Sequence, residues 1–521
     1  MNIFTTIRNL FRKGGAKVGV IKSLGSILDD ERISMPASEY ERIKVAQRYF
    51  RNDMPQVRYK NAEGLLVERE FMSINVTKMC AHRLASIIYN EQSTINVGNE
   101  SDNEFLQDVL ADNDFNNQYE ERLESGIALG GFAVRPYVQN DKIKLAWVQA
   151  DQFYPLHNNT NEIDEAAIAS KTVVTENNSP VYYTLLEFHQ WDNDTYKITN
   201  ELYRSESATS VGIQVPLTTL PEYEQLAPEV NLKGLTNPLF AYFKTPGANN
   251  KQADSPLGLG IVDNAKHEID AINITHDQFV HEVQLGKRRI AVPAEMLKPG
   301  ARFGGQDTAS NQRPLMFDPK EDIYMQMYGD ADAIGIKDLT TNIRNDQYSQ
   351  SMDFFLKEFE NSVGLSQGTF TNSPSGVQTA TEVVTNNSMT YQTRSSYLTQ
   401  VDKQLKTLIK AIFELAQCGQ LFSDGKPRFA GDIEDLVIDI DYQDGVFTDK
   451  TTQFTQDSQA VTMGVMPKKR FLMRNFNLDE QQADQWLEEL SQEQPEGNLN
   501  SLLENGDYPQ GEDEPEPDEG D

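Results

Sequence analysis

The chain has 521 residues, enough for two to four domains, and sets 79 acidic side chains against 47 basic ones, for a net charge of −32. That balance speaks against non-specific capture of nucleic-acid phosphates, which needs clustered Lys and Arg; it suits a protein kept soluble by self-repulsion, or one past which a polyanion must slide. The two cysteines, Cys80 and Cys418, argue against a disulfide framework and for a reducing compartment, and no apolar run is long enough for a membrane helix.

The first 20 residues are amphipathic, with Phe4, Ile7, Leu10 and Phe11 beside Arg8, Arg12, Lys13 and Lys17. They are too polar for a secretion signal and are expected to dock on their own protein or stay loose. Residues 38–50 predict a helix capped by Ser38 or Ser34, with Tyr40, Ile43, Ala46 and Tyr49 on one side. A hairpin over 57–70 follows, then helices over 71–89, 103–110 and 115–129, the last stopped by Gly130 and Gly131. From Phe132 the apolar period changes to two. Strands are expected at 132–139 and 142–149, paired across Asn140-Asp141, and at 166–175, 181–190 and 195–203, together a mostly antiparallel sheet. Residues 205–235 read as loop, and 239–244 as one short strand.

Ser255-Pro256 reads as the N-cap and first position of a long helix, with Ile261, Ala265, Ile269, Ile272, His276, Phe279 and Val283 on a narrow seam. Such a seam suits a helix packed between similar neighbours. Gly286 ends it, and residues 287–337 form an insert with strands at 289–293 and 323–328. A second helix over 343–363 closes at Gly364. The loop Gly364-Leu-Ser-Gln-Gly-Thr-Phe-Thr-Asn-Ser-Pro-Ser-Gly376 is punctuated by three glycines and Pro374. A very long helix runs from Thr379 towards Cys418. Its first half is rich in Asn, Ser and Thr, so neighbours must hold it helical or it bends; its second half carries a clean stripe at Leu398, Val401, Leu405, Leu408, Ile409, Ile412 and Leu415. A strand at 436–441, helices at 449–465, 467–474 and 479–490, and an acidic, Pro/Gly-bearing tail that cannot bury a core complete the chain.

Enzyme signatures do not hold. Gly258-Leu-Gly260-Ile-Val-Asp263 starts like a dinucleotide loop but has Asp at the third glycine position and follows no strand. There is no Walker lysine motif, no nucleophile elbow, and His267, Glu268, His276 and His281 lack metal-ligand spacing. A metal-dependent nuclease hidden among the acidic residues is the weakest alternative; a non-catalytic scaffold or adaptor without a channel is the stronger one. Two basic spots stand out, Lys287-Arg288-Arg289 and Lys468-Lys469-Arg470. The first either touches an acidic partner or DNA, or simply complements a helix C-terminus.

The helix–loop–long-helix block, with Ser375-Gly376 and Thr379-Ala-Thr-Glu382, resembles portal proteins of tailed bacteriophages, most closely those of long-tailed phages of Gram-positive bacteria. Asp151-Gln-Phe-Tyr-Pro155, Ser255-Pro-Leu257, Val363-Gly-Leu365 and Val461-Thr-Met-Gly464 fall in the same order as in that family. The resemblance covers roughly residues 35–490 and implies an α+β portal fold: an N-terminal arm (1–34), a wing with an antiparallel sheet (35–254), a stem helix (255–286), a small α/β clip (287–342), a second stem helix (343–363), a channel loop (364–378), a long helix with a wing return (379–448), a crown (449–494) and a disordered acidic tail (495–521). It implies that Gly368, Thr369, Phe370, Thr371, Asn372, Ser373 and Pro374 form the DNA-channel loop, and that Lys287, Arg288 and Arg289 lie where the clip meets partners. It implies a ring of twelve subunits in the virion, assembled in the host cytoplasm. The ring would meet terminase, major capsid and scaffolding proteins and the head–tail connector while double-stranded DNA passes through. Catalysis, metal, cofactor and membrane are not expected.

Overall fold

The computed structural model describes residues 22–60, 64–90, 93–156, 162–286, 288–293, 324–327, 336–340, 342–371, 388–442, 450–476, 478 and 480–493. The chain divides into two bodies, residues 1–443 and 444–521. Both helices and antiparallel sheets are present, so the fold is α+β as expected.

The first body begins with β1 (Ser23–Leu24), α1 (Ala37–Phe50), β2 (Val57–Lys60), β3 (Leu66–Arg69), α2 (Val76–Ile88) and β4 (Thr94–Val97). Helices α3 (Glu100–Asp112) and α4 (Phe115–Leu129) lead into β5 (Gly131–Gln139), β6 (Lys142–Gln149) and β7 (Phe153–Pro155). Then come β8 (Ala166–Glu176), β9 (Ser179–Asp192), β10 (Thr195–Ser205), β11 (Gly212–Val215), β12 (Glu229–Lys233) and β13 (Ala241–Lys244). The long helix α5 (Ile261–Leu285) precedes β14 (Ile290–Pro293), β15 (Tyr324–Met327) and β16 (Lys337–Asp338). Helices α6 (Asn345–Ser362) and α7 (Ser388–Gln417) and strand β17 (Ile438–Asp441) finish the body.

Alternating apolar residues and turn chemistry account for the hairpins. Asn140 and Asp141 both have positive φ, 52° and 61°, which a two-residue hairpin loop requires; Asn177 and Asn178 do the same between β8 and β9. The expected single sheet over 132–203 is instead two. Strands β5 and β6 join β13 in the order β13-β5-β6, whereas β7–β10 belong to a larger sheet ordered β1-β11-β10-β9-β8-β7, with β12 also on β10. The stretch expected as loop, 205–235, supplies β11 and β12; at four and five residues they are too short to show a period, and they form because β10 offers free backbone groups.

One core of this body lies between α7 and the smaller sheet; another, of Val181, Tyr183, Leu185, Leu202 and Val215, lies on the larger sheet. Val401, Leu405, Leu408, Ile409, Ile412 and Leu415 are all buried, as their spacing predicts, and Phe413 packs edge-on to Phe105 and Phe429 at 5.4 and 4.8 Å. Gln404 accepts from the Tyr119 hydroxyl (2.8 Å) and donates to the Ala241 carbonyl (3.4 Å). The buried Glu414 carboxylate receives the backbone N–H groups of Thr236 and Asn237, the Thr236 hydroxyl and the Asn237 amide, fixing that loop to α7. Strand β17 then returns to pair with β4. Cys80 is buried in α2 and Cys418 half-buried, both free.

Helix starts depart from expectation where the capping side chain is employed elsewhere. Helix α1 begins after Pro36 with no side-chain cap, and the Ser34 hydroxyl instead donates to the Leu156 carbonyl (2.7 Å). Helix α2 starts at Val76, capped by Asn75, which accepts from the Lys78 N–H. Of the residues 71–89 expected to be helical, 71–75 are not.

The larger sheet holds a buried ionic centre. Glu187, on β9, pairs with Arg135 (2.9 Å) and accepts from His189 (2.6 Å), whose other ring nitrogen faces the Tyr196 hydroxyl (2.9 Å). Burial alone would raise the Glu187 pKa, but the Arg135 charge and the His189 hydrogen bond outweigh it and bring it from 4.5 down to about 2. A carboxylate depressed on folding stabilises above its unfolded pKa, and that stability is lost as pH falls through the folded one. We therefore expect the unfolding free energy from urea titration to fall most steeply between pH 4.5 and about 2, by roughly 3 kcal/mol from this group. Glu187→Gln should flatten that fall; an unchanged slope would refute the assignment.

Among the described residues the second body has three helices, α8 (Lys450–Thr462), α9 (Lys468–Phe476) and α10 (Glu480–Glu493). Phe454, Phe471, Phe476 and Trp486 cluster between them, with Phe454–Phe471 at 5.4 Å and Phe476–Trp486 at 5.7 Å. Asp457 accepts from Asn475 (2.9 Å), and of the basic triplet Lys469 is paired with Asp484 (2.9 Å). The capping residue expected at Asp479 and the acidic tail lie outside the described residues.

Candidate functional site

The candidate site is the pair of helices α5 and α6 with the loop that leaves α6. Its root is built from glycine and a buried ion cluster. Helix α5 starts at Ile261 and not at Pro256: the Ser255 hydroxyl donates to Glu39 (2.8 Å) and accepts from the Leu257 N–H (3.3 Å), but residues 256–260 are not helical. Glu39 also accepts from Arg42 and Asn249, while Arg42 donates to the Gly258 carbonyl (3.0 Å) and pairs with Asp263. Asp263 in turn accepts from the Gly260 N–H (2.6 Å), closing the first turn. Burial pushes the Asp263 carboxyl above its ordinary value despite Arg42. The segment before α5 crosses the end of α4 backbone to backbone. A Cβ on Gly258 would lie under 3.0 Å from the Gly130 carbonyl, and one on Gly260 equally close to the Ala128 carbonyl. The two glycines weighed earlier as a nucleotide loop therefore serve close approach of main chain. Just beyond, Ala265 has non-helical angles (φ −107°, ψ 16°), a kink in the first turns.

Only the first part of α5 is sunk in the body: Ile261, Ala265, Ile269 and Ile272 are buried, whereas Val283 and Leu285 are exposed. Asn273 and Asp277 hold its midpoint to the residues before α2. Asn273 accepts from the Ile74 N–H (2.9 Å), and Asp277 takes a two-pronged ion pair from Arg69 (2.6 Å each) and the Met72 N–H (3.0 Å). Those hydrogen bonds from Arg69 lower the Asp277 pKa. His276, on the seam, donates from Nδ1 to the Met72 carbonyl (2.8 Å), which makes it a packed residue.

At the far end α5 and α6 run antiparallel, as the facing pairs show. Phe279 stacks near Tyr348 (5.2 Å), Arg344 grips Glu282 through its side chain (2.5 Å) and backbone N–H (2.9 Å), and a Cβ on Gly286 would touch Ile343. The Arg344 hydrogen bonds lower Glu282 to about 2. Between the helices, β14 pairs parallel to β15 and antiparallel to β16, a small sheet in the expected insert. Arg288 lies exposed beside Asp338 (3.5 Å), and the Arg289 N–H donates to the Thr340 hydroxyl (3.3 Å); Lys287 lies outside the described residues. Helix α6 is mostly exposed: only Phe359 and Glu360 are buried, and Phe354 is 57% exposed. It carries four acidic residues against one lysine.

The exit from α6 is closely specified. Gly364 is left-handed (φ +74°); its N–H bonds the Asn361 carbonyl (3.3 Å) and the Leu365 N–H the Glu360 carbonyl (2.8 Å), the two bonds of a Schellman cap. Ser366 and Thr390 exchange hydrogen bonds, each hydroxyl accepting the other's N–H at 2.8 and 3.1 Å, and the Thr393 hydroxyl donates to the Gly364 carbonyl (2.6 Å). Arg394 donates to the Ile87 carbonyl (2.6 Å). The polar beginning of α7 is thus held helical by neighbours from Ser388 on; residues 379–387 lie outside the described residues.

Of the loop residues singled out from sequence, Gly368, Thr369, Phe370 and Thr371 are described, and Asn372, Ser373 and Pro374 are not. The described four gather around Glu360. Its side chain accepts the N–H groups of Gly368 (3.3 Å), Phe370 (2.5 Å) and Thr371 (3.1 Å) and the Thr371 hydroxyl (3.2 Å). Thr369 folds back on the Ser366 carbonyl (2.7 Å), Thr371 is buried, and Phe370 packs on Phe359 of its own chain (6.0 Å). Sequence reasoning missed Glu360. The one signal was an acid inside the apolar run just before the closing glycine. Among the described residues no group of His, Cys, Asp and Glu could hold a metal ion, and no helix is long and apolar enough to cross a membrane.

Two comparisons bear on this arrangement. No curated protein matches the chain. The family model described as "Phage portal protein, SPP1 Gp6-like" matches residues 33–496, which takes in the paired helices, the loop and the long helix.

Proposed function

The chain belongs to the SPP1 Gp6-like phage portal protein family, and from that premise we propose that it closes with copies of itself into a ring of twelve at one capsid vertex and conducts double-stranded DNA during packaging and ejection. Terminase docks on the ring while the head fills, major capsid and scaffolding proteins surround it, and connector proteins follow on the same face. The observation that carries this reading is the extent of the family match, which covers the whole helix–loop–helix unit and not one segment.

Physical features support it. The outer half of the α5–α6 pair leaves Val283, Leu285, Ile343 and Phe354 exposed in one chain, and a ring would cover such a seam with the neighbour's helices. Of the acidic residues of α5 and α6, Asp263, Asp277, Glu282 and Glu360 are engaged by Arg42, Arg69, Arg344 and the turn after α6; the exposed Asp346 and Glu358 give α6 an outward negative charge that would repel phosphates, so that DNA slides past without deep binding minima. The loop after α6 faces the duplex, and the clip residues Lys287, Arg288 and Arg289 meet a partner's acidic surface. Negative-stain imaging of the purified protein tests the ring: uniform particles with a central hole are expected. Monomers or dimers at the same concentration would favour a scaffold without a channel.

A further inference from the structure

We infer that Glu360 is the positioning residue of the channel loop: it makes residues 364–371 one rigid piece with α6, so that the loop is steered by the stem helix and does not hang from it as a free tether. The inference rests on the reading of this segment as a channel loop. Two carboxylate oxygens offer about four acceptor sites, and four donors converge on them: Oε1 takes the Phe370 and Thr371 N–H groups, Oε2 the Gly368 N–H and the Thr371 hydroxyl. Glu360 is fully buried and has no cationic partner among the described residues; these donors satisfy its carboxylate, the Gly368 N–H being shared with the Thr371 hydroxyl oxygen (3.0 Å). A buried carboxylate in that position is costly unless every acceptor site is filled, and that ties the path of the turn to the presence of the charge.

The same turn is fixed at its other side. The left-handed Gly364 leaves no room for a side chain against Thr393, Leu365 is fully buried, and the Ser366–Thr390 exchange joins the two stems of the loop. Rotation or tilt of α6 therefore carries Gly368–Thr371 with it. Phe370, singled out from sequence as part of the channel loop, is on this view an internal packing residue against Phe359 and makes no contact with DNA.

Hydrogen exchange on the full-length protein tests the clamp. In the wild type, the amides of Gly368, Phe370 and Thr371 should exchange as slowly as those of the last turn of α6; exchange at unprotected rates would overturn the inference with no variant needed. Glu360→Gln keeps the size but turns an amide NH2 towards two donors. It should speed exchange at those three positions roughly tenfold to a hundredfold, leave the α6 amides unchanged and reduce DNA packaging. Unchanged exchange, or normal packaging with the turn released, would count against it. The wild-type exchange pattern reads the clamp whether or not the protein forms a ring. Absence of wild-type rings would instead sink the portal reading while leaving the clamp standing.

Discussion

Gly260→Ala is expected to damage the first body more than any ordinary surface change, although it adds a single methyl group. Its backbone angles, φ −77° and ψ 166°, are open to every residue, so conformation is no obstacle. The obstacle is space: the new Cβ would press under 3.0 Å on the Ala128 carbonyl at the end of α4. That oxygen belongs to the main chain and cannot rotate away, so the two segments must separate. Separation breaks the Gly260–Asp263 closure and pulls Asp263 from Arg42 in a buried cluster. Gly258→Ala meets the Gly130 carbonyl and Thr245 in the same way. Each should cost about 3 kcal/mol, or the yield of soluble protein. Gly234→Ala is the control. It is left-handed (φ +82°) with nothing within 4 Å of its Cβ, so it carries only a conformational cost of about 1–2 kcal/mol. Thermal unfolding in which Gly260→Ala matches wild type would show that the close crossing is not there.

Excising residues 372–375 is expected to spare ring formation and remove most DNA packaging. The ends of the loop are secured by groups outside the excision: the Schellman cap at Gly364, the Glu360 carboxylate, and the Ser366–Thr390 exchange, whose partners lie 24 residues apart. Shortening a loop of that length by four residues changes its closure entropy by only a few tenths of a kcal/mol. The surfaces on α5 and α6 proposed for assembly are untouched. What is removed is the polar stretch that the family resemblance sets against the duplex. Packaging at wild-type levels by rings of normal appearance would refute the channel-loop assignment.

Much of the fold was legible because local signals and tertiary needs coincide. The apolar stripe of α7 reports its buried face directly, and Asn140-Asp141 announces its hairpin because few other residues accept positive φ twice in succession. The errors have one physical source, contacts made outside the local sequence. Ser255 looks like a helix cap, and its hydroxyl does accept the Leu257 N–H, but no helix follows until Ile261, because the chain first passes the Gly130 and Ala128 carbonyls backbone to backbone. Strands β11 and β12 carry no pattern of their own and exist because β10 has an unfilled edge. The third strand of the smaller sheet, β13, comes to β5 from about a hundred residues further along the chain. At the candidate site, the helices and the closing glycine could be read from spacing. The convergence of Gly368, Phe370 and Thr371 on Glu360 could not, since backbone donors carry no residue identity.

The Tyr119–Gln404 hydrogen bond has a consequence for synthesis. Its partners are 285 residues apart, so at about 5–20 residues per second the ribosome takes roughly 15–60 s to deliver the second after the first. Once β13 has been made, and until α7 emerges, the face of the smaller sheet that α7 will cover, with Phe132 and Phe243 beside it, is left wet. Nascent chains thus pass through a long period of exposed apolar surface, and the body is complete only when its last helix and β17 have emerged. Half-made chains on one polysome therefore carry an uncovered apolar face through which they can associate, until α7 seals it.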